Sequence, residues 1–253
     1  MEELQLQQYK IQYHQFSTTG KRKSNQDKVS VVKINDQSAL FLVADGMGGY
    51  SFGDIAAELV INEVNQKITY EIGVNSTEVV INDAISNANS LVNKLVLEKE
   101  AESGATLGGI LIKDLSYSIF WVGDVKILLL RNAELNFMSK SHTLENELRM
   151  NKSWEYVNSS LRHIVTRSLS GKDKLYNPEL KEIEIQEGDK LIIASDGFYE
   201  LFNEMEIIRL MKSKINWDQF IHDVLPLRLK KANDNASGIL IDILEPQLAK
   251  RLA

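Results

Sequence analysis

The stretch that decides the fold runs from Ala105 to Met138, ATLGGILIKDLSYSIFWVGDVKILLLRNAELNFM. It reads as four strands, Ala105–Ile112, Tyr117–Val122, Lys126–Arg131 and Leu135–Met138, each dominated by apolar side chains. The joints Lys113-Asp114 and Asn132-Ala133-Glu134 are too short to hold the crossover helix that parallel pairing demands. An antiparallel meander is therefore expected here.

Working outward, strands are expected upstream at Tyr9–Phe16, Val29–Ile34 and Ala39–Ala44, the last two joined by a turn at Asn35-Asp36. Two helical patterns lie between these strands and the meander. In the first, Ala56, Val60, Val64 and Ile68 recur every fourth residue. In the second, Ile81, Ala84, Ile85, Ala88, Leu91, Val92 and Leu95 form a wide apolar stripe that reads as core. Downstream strands are expected at Glu179–Gln186, Lys190–Ala194 and Gly238–Leu244. Helices are expected at Asn203–Lys212 and Trp217–Lys230, with Pro226 kinking or shortening the second. Strands run in blocks and no βαβ rhythm appears. The expected class is α+β, with antiparallel sheets and helices packed outside them.

Composition narrows the function. Of 253 residues, 43% are hydrophobic and 25% charged, an ordinary globular balance. Lys and Arg total 29 against 35 Asp and Glu, a formal charge of −6, which argues against nucleic acid as the main partner. With no cysteine, disulfides, thiolate metal sites and a cysteine nucleophile are excluded. Met1–Gln8 lacks the basic and apolar regions of a secretory signal, and no stretch approaches the roughly 18 apolar residues of a membrane span, so a cytoplasmic protein is expected. No Pro- or Gly-rich linker or internal repeat divides the chain. A single domain over 1–253 is expected, with loose ends at 1–8 and 246–253.

The chemistry lies in the aspartates. Asp45 follows Leu40-Phe41-Leu42-Val43-Ala44, Asp124 follows Ile119-Phe120-Trp121-Val122-Gly123, and Asp196 follows Leu191-Ile192-Ile193-Ala194-Ser195. Asp234 stands just before the last strand. A single Asp-Gly is most simply turn punctuation, but a hairpin turn does not require the almost wholly apolar strands that precede these residues. Carboxylates converging in one cleft repel one another unless cations neutralise them. With four histidines and no thiols, the available ligands are hard oxygens, which select Mg²⁺ or Mn²⁺. Two such ions can activate a shared water and clamp a displacement at phosphorus. Arg22, within Gly20-Lys21-Arg22-Lys23-Ser24, offers a bidentate anion clamp, although a basic triplet read alone is a solvated turn. The glycines of Gly46-Met47-Gly48-Gly49 lack dinucleotide-loop spacing and suit carbonyl approach to a metal, or a helix start close to the sheet.

Five blocks, in order, together resemble the metal-dependent protein serine/threonine phosphatases, the PPM or type 2C family, in their compact bacterial-like form. They are Thr19-Gly20…Arg22…Asn25-Gln26-Asp27, Ala44-Asp45-Gly46-Met47-Gly48-Gly49, Ser103-Gly104-Ala105-Thr106 with Trp121-Val122-Gly123-Asp124, Ala194-Ser195-Asp196-Gly197, and Asp234-Asn235-Ala236-Ser237. The resemblance spans Ser17 to Leu244. It implies a four-layer α-β-β-α sandwich. It also implies that Asp45 bridges two metals, that the Gly46 carbonyl binds one of them, and that Asp196 and Asp234 complete the centre. Asp124 with Asp196 would match a third, weaker site seen in some members. Arg22 would match the phosphate-binding arginine, and Asp27 the acidic residue near the metals. Gln26 stands where many members carry Glu, Met47 where some carry a histidine proposed as general acid, and Ser141 where Asp is common before His142. His142 stays outside the site, and His163 with Trp154–Gly171 is assigned to a variable flap beside it.

The expected activity is hydrolysis of phosphoserine and phosphothreonine on proteins by a metal-activated water, without a covalent intermediate. The expected partners are substrates of a Ser/Thr kinase, and the expected state is a monomer. Two alternatives remain at this point: a catalytically silent regulatory module of the same fold, and a phosphatase for a small phosphorylated molecule.

Overall fold

The computed structural model describes residues 1–47, 52–151, 159–171, 177–212 and 217–244. Among the described residues eleven strands form two antiparallel sheets. One sheet has the order β1 (Glu2–Gln5), β2 (Lys10–Thr18), β11 (Ala236–Leu244), β10 (Lys190–Ala194), β7 (Lys126–Arg131), β8 (Glu134–Met138). The other runs β3 (Asp27–Asn35), β4 (Ser38–Gly46), β5 (Ala105–Lys113), β6 (Ser116–Val122), β9 (Glu179–Glu184).

Period-two alternation explains why these strands are apolar on both faces. In β4, Phe41 and Val43 enter the core between the sheets, while Leu40 and Leu42 face a helical layer. In β10, Leu191 and Ile193 enter the middle core, while Ile192 and Ala194 face the opposite helices. The first helical layer is α1 (Gly53–Glu71) and α2 (Thr77–Lys99), which bury Val60, Val64, Ile81 and Ile85 against Leu107 and Phe120. Ser76 caps α2 by accepting from the Val79 N–H. The other layer packs Phe198, Phe202 and Phe220 on Phe16, Leu128 and Leu240. Three cores separate four layers, α-β-β-α. Among the described residues no helix is long and apolar enough to cross a membrane.

Several expectations need correction. The four strands of residues 105–138 do not form one meander. β5 pairs with β6 and β7 with β8, but the chain changes sheets at Gly123-Asp124-Val125. Val125 is buried in the core between the sheets, so the joint dives through the sandwich instead of turning at its surface. Residues 1–8 are not a loose end: β1 pairs in register with β2, and Leu6 is buried. Backbone pairing needs no apolar pattern, which is why Glu2-Glu3-Leu4-Gln5 gave no strand signal. Residues 246–253, Gly48, Gly49 and positions 154–158 lie outside the described residues.

The last helix is broken as Pro226 requires. Short α-turns at Trp217–Gln219 and Leu225–Leu229 flank a π-wound turn, Phe220–Val224. Pro226 lacks an N–H and its ring crowds the carbonyl four residues earlier, so the wider turn precedes it. Unexpected helices appear at α3 (Leu144–Met150), a 3₁₀ turn at Ser159–His163, and α4 (Asp196–Leu201). The expected helix near Asn203–Lys212 is α5 (Glu204–Lys212).

Candidate active site

Each expected site residue is aimed by a rigid element or by a junction between elements. Asp45 lies within β4, directly opposite Asp27 on β3 and Thr106 on β5. Gly46 closes the same strand. A Cβ there would lie 2.4 Å from the Gly53 carbonyl oxygen, so only glycine lets α1 begin this close to the sheet. Asp124 occupies the change of sheets between β6 and β7. Gly123 beside it has φ +103°, and the neighbouring loop pins it: the His142 N–H donates to the Gly123 carbonyl at 2.8 Å, and the Gly123 N–H donates to His142 Nδ1 at 3.0 Å. Burial, and then Arg167, push the His142 imidazole down to about 4, which keeps Nδ1 free to accept. His142 is thus a structural pin for the Asp124 turn.

Asp196 is the first residue of α4, where the exposed N–H groups of a helix start favour a carboxylate. Asp234 precedes β11, and Arg22 reaches it from the loop between β2 and β3, Nη2 to Oδ2 at 2.5 Å. Arg22, Asp45, Gly46, Asp124, Asp196 and Asp234 line one open cleft of about 900 Å³. Asp27 stands behind Asp45, 5% exposed, and accepts the Ser195 hydroxyl at 2.8 Å.

The electrostatics are those of crowded like charges. Burial, followed by the charges of Asp27, Asp196, Asp124 and Asp234, drives the Asp45 carboxyl well above its ordinary range. Burial, then Asp124, Asp234, Glu200 and Asp27, lifts Asp196 to about 8. Asp27 rises to about 6, burial outweighing the hydrogen bonds from Ser195 and Ser237. Asp124 is raised by burial. Among the described residues no three carboxylates already close on a single point as a finished metal cage. Magnesium-type ions keep several waters and take one or two carboxylates each, so an acidic wall, with no imidazole or thiolate among its expected donors, fits hard cations.

The structure also brings in residues that sequence reasoning left aside. Glu200 lines the cleft one helical turn beyond Asp196, a spacing legible in the sequence. His163, in the described part of the expected flap, lines it too, as do Gln26 and Met47. Gln26 does not replace a missing charge. Its backbone N–H donates to Asn235 Oδ1, its carbonyl accepts the Gly46 N–H, and its side-chain amide packs beside Gly53. Ser141 donates to the Asp124 carbonyl at 3.4 Å.

A guanidinium beside a wall of hard oxygen donors, at the rim of two stacked antiparallel sheets, suits phosphate-ester chemistry supported by divalent cations. The family model described as Protein phosphatase 2C matches residues 17–244, and the chain belongs to that family. It is 26% identical over 238 residues to a serine/threonine phosphatase, stp, of Listeria monocytogenes, covering 87% of this chain and 91% of that one. Similarity to a putative protein phosphatase 2C-type of Streptococcus pyogenes is 25% over 228 residues, covering 87% and 92%. Among solved structures, the catalytic domain of the phosphatase PstP in complex with two manganese ions superposes with a TM-score of 0.76, at 26% identity, covering 93% of this chain and 99% of that one. The serine/threonine phosphatase of S. agalactiae matches in fold with a TM-score of 0.81, at 23% identity, covering 93% and 100%.

Proposed function

We propose that this protein hydrolyses phosphoserine and phosphothreonine on proteins, using two Mg²⁺ or Mn²⁺ ions, in the cytoplasm and in opposition to a Ser/Thr kinase. One observation carries the reading: Arg22 and the carboxylates of Asp45, Asp124, Asp196 and Asp234 face the same open cleft. The names of the Listeria and streptococcal relatives and the manganese-bound PstP structure support it.

Asp45, the Gly46 carbonyl, Asp196 and Asp234 would hold the two ions, and Asp124 with Asp196 a third. Bound there, the cations supply neutralising charge and a water of lowered pKa. The protein's own groups do the positioning. Arg22, half exposed beside Asp234, offers its guanidinium fork to two phosphoryl oxygens. Asp27 braces the Asp45 strand pair and Ser195 from behind. His142 holds the Asp124 turn. A cleft this open admits a phosphorylated side chain on a protein loop, and water is the nucleophile.

The test compares turnover of a phosphothreonine peptide and of a small aryl phosphate, with Mn²⁺ and with chelator. Chelator-sensitive preference for the peptide is expected. Preference for the small ester points to a metabolite phosphatase, and phosphopeptide binding without turnover to a silent module. Either result overturns the proposal.

A further inference from the structure

Asn235 is the residue around which the phosphate clamp is folded. It is 8% exposed, between Asp234 and β11. Its Nδ2 donates to the Thr19 carbonyl and to the Ser24 carbonyl, each at 2.9 Å, and its Oδ1 accepts the Gln26 N–H at 2.9 Å. Those three residues bracket Arg22 on both sides. An amide has two donors and an acceptor on one planar group, and here all three functions are used. Aspartate at this position would set a second oxygen against two carbonyls.

The same residue also orients the cation-ligand candidate. The Asn235 backbone N–H donates to Asp234 Oδ1 at 2.8 Å, which turns Oδ2 toward Arg22. Two glycines complete the junction. A Cβ on Gly20, whose φ is +59°, would lie 2.1 Å from the Asp234 carbonyl oxygen, and one on Gly197 would lie 2.0 Å from that of Asn235. The Arg22 loop and the start of α4 are therefore seated on the same two residues.

We propose that Asn235 is a positioning residue that fixes the Arg22 guanidinium over the carboxylate wall, so that phosphoryl binding and cation binding share one geometry. The inference rests on the phosphatase reading given above. A merely structural asparagine lowers stability whatever the state of Arg22. A positioning residue acts through Arg22 and loses its effect when Arg22 is gone.

The experiment is a double-mutant cycle of Asn235→Ala and Arg22→Ala, with KM and kcat for a phosphothreonine peptide in Mn²⁺ and thermal unfolding as the folding control. Asn235→Ala is expected to raise KM about ten-fold with kcat within about three-fold, and to change KM less than about two-fold in the Arg22→Ala background, a coupling typical of residues in one hydrogen-bond network. Asn235→Ser, which keeps one hydroxyl donor and adds no charge, enters the same cycle should the alanine variant not fold. Amide hydrogen exchange on the wild-type protein adds a readout free of activity: the Gln26 N–H should exchange far more slowly than those of Lys23 and Ser24. Additive effects in the cycle, a fall in kcat at constant KM, or an unprotected Gln26 N–H would each overturn the proposal. Absence of wild-type turnover would count against the phosphatase reading alone, and the exchange measurement would then decide this one.

Discussion

Replacing Asp45 by Asn should stabilise the cation-free protein while removing its response to cations. A carboxyl whose pKa is higher folded than unfolded binds more protons in the folded state, so its contribution to stability falls as pH rises through that window. For Asp27 the window runs from 3.8 to about 6, and for Asp196 from 3.8 to about 8. The Asp27 gap alone corresponds to about 3 kcal/mol. Asp196 adds to this by less than its separate value, because the two feel the same neighbours. His142 acts in the opposite sense: held at about 4 when folded, it favours unfolding as pH falls below its ordinary 6.5. The informative quantity is therefore the difference between Asp45→Asn and wild type in chelator, in which His142 cancels. Neutralising Asp45 removes a buried charge that burial, Asp27, Asp196, Asp124 and Asp234 all disfavour, so the variant should gain on wild type progressively as pH rises above the ordinary carboxylate range. For a chain of this size each kcal/mol of that gain appears as about 2–4 °C in unfolding temperature. Added Mn²⁺ should raise the wild-type unfolding temperature more at the higher pH, where protons no longer compete, and raise that of Asp45→Asn little. A difference that is flat or reversed with pH would refute the like-charge argument.

Arg22→Ala should raise KM for the phosphopeptide about ten-fold or more, as expected for loss of a charge-assisted bidentate contact, while calorimetric uptake of Mn²⁺ persists. Asp189→Asn probes the far end of the sandwich. Asp189 is fully buried, takes both Arg131 Nε and Nη2 at 2.7 and 2.8 Å, and accepts from the Tyr117 hydroxyl, so breaking this set should cost about 3–5 kcal/mol by urea unfolding without changing Mn²⁺ stoichiometry.

What the sequence disclosed follows from how local each signal is. β7 and β10 are legible at their observed bounds, because a run such as Leu191–Ala194 is apolar throughout and sits between polar joints. The sheet to which a strand belongs was not readable. Ile127 and Leu129 fill the middle core, while Leu128 and Leu130 face helices, and that two-faced pattern is the same in either sheet. The meander at 105–138 failed for this reason: Gly123-Asp124-Val125 is a change of sheets written in turn residues. Asp196 was placed at a strand edge, yet it opens a helix, and Ser195-Asp196-Gly197 serves either description. The carboxylates stood out as candidates because each follows or precedes an apolar strand. Asn235 did not, since its partners are backbone groups 209, 211 and 216 residues away, which leave no trace in side-chain spacing.

The carboxylates gather at strand ends and joints: Asp45 one residue before the end of β4, Asp124 between sheets, Asp196 at a strand-to-helix joint, Asp234 before β11. In strand interiors the side chains of the two sheets meet only in the dry core between them, so carboxylates from both sheets can share an open cleft only at such exits. Bringing them together adds to the burial that raises the pKa values of Asp45 and Asp196, and that repulsion must be borne by the rest of the fold. The apolar strands behind them supply the rigidity, since Leu40 to Ala44 and Leu191 to Ala194 are all fully buried. The same repulsion is what a divalent cation relieves, so cation affinity and cation-free instability are two faces of one free energy. Substitutions that relax the cleft should therefore gain cation-free stability and lose cation affinity together, whereas substitutions in the Asp189 set should lower stability and leave affinity unchanged.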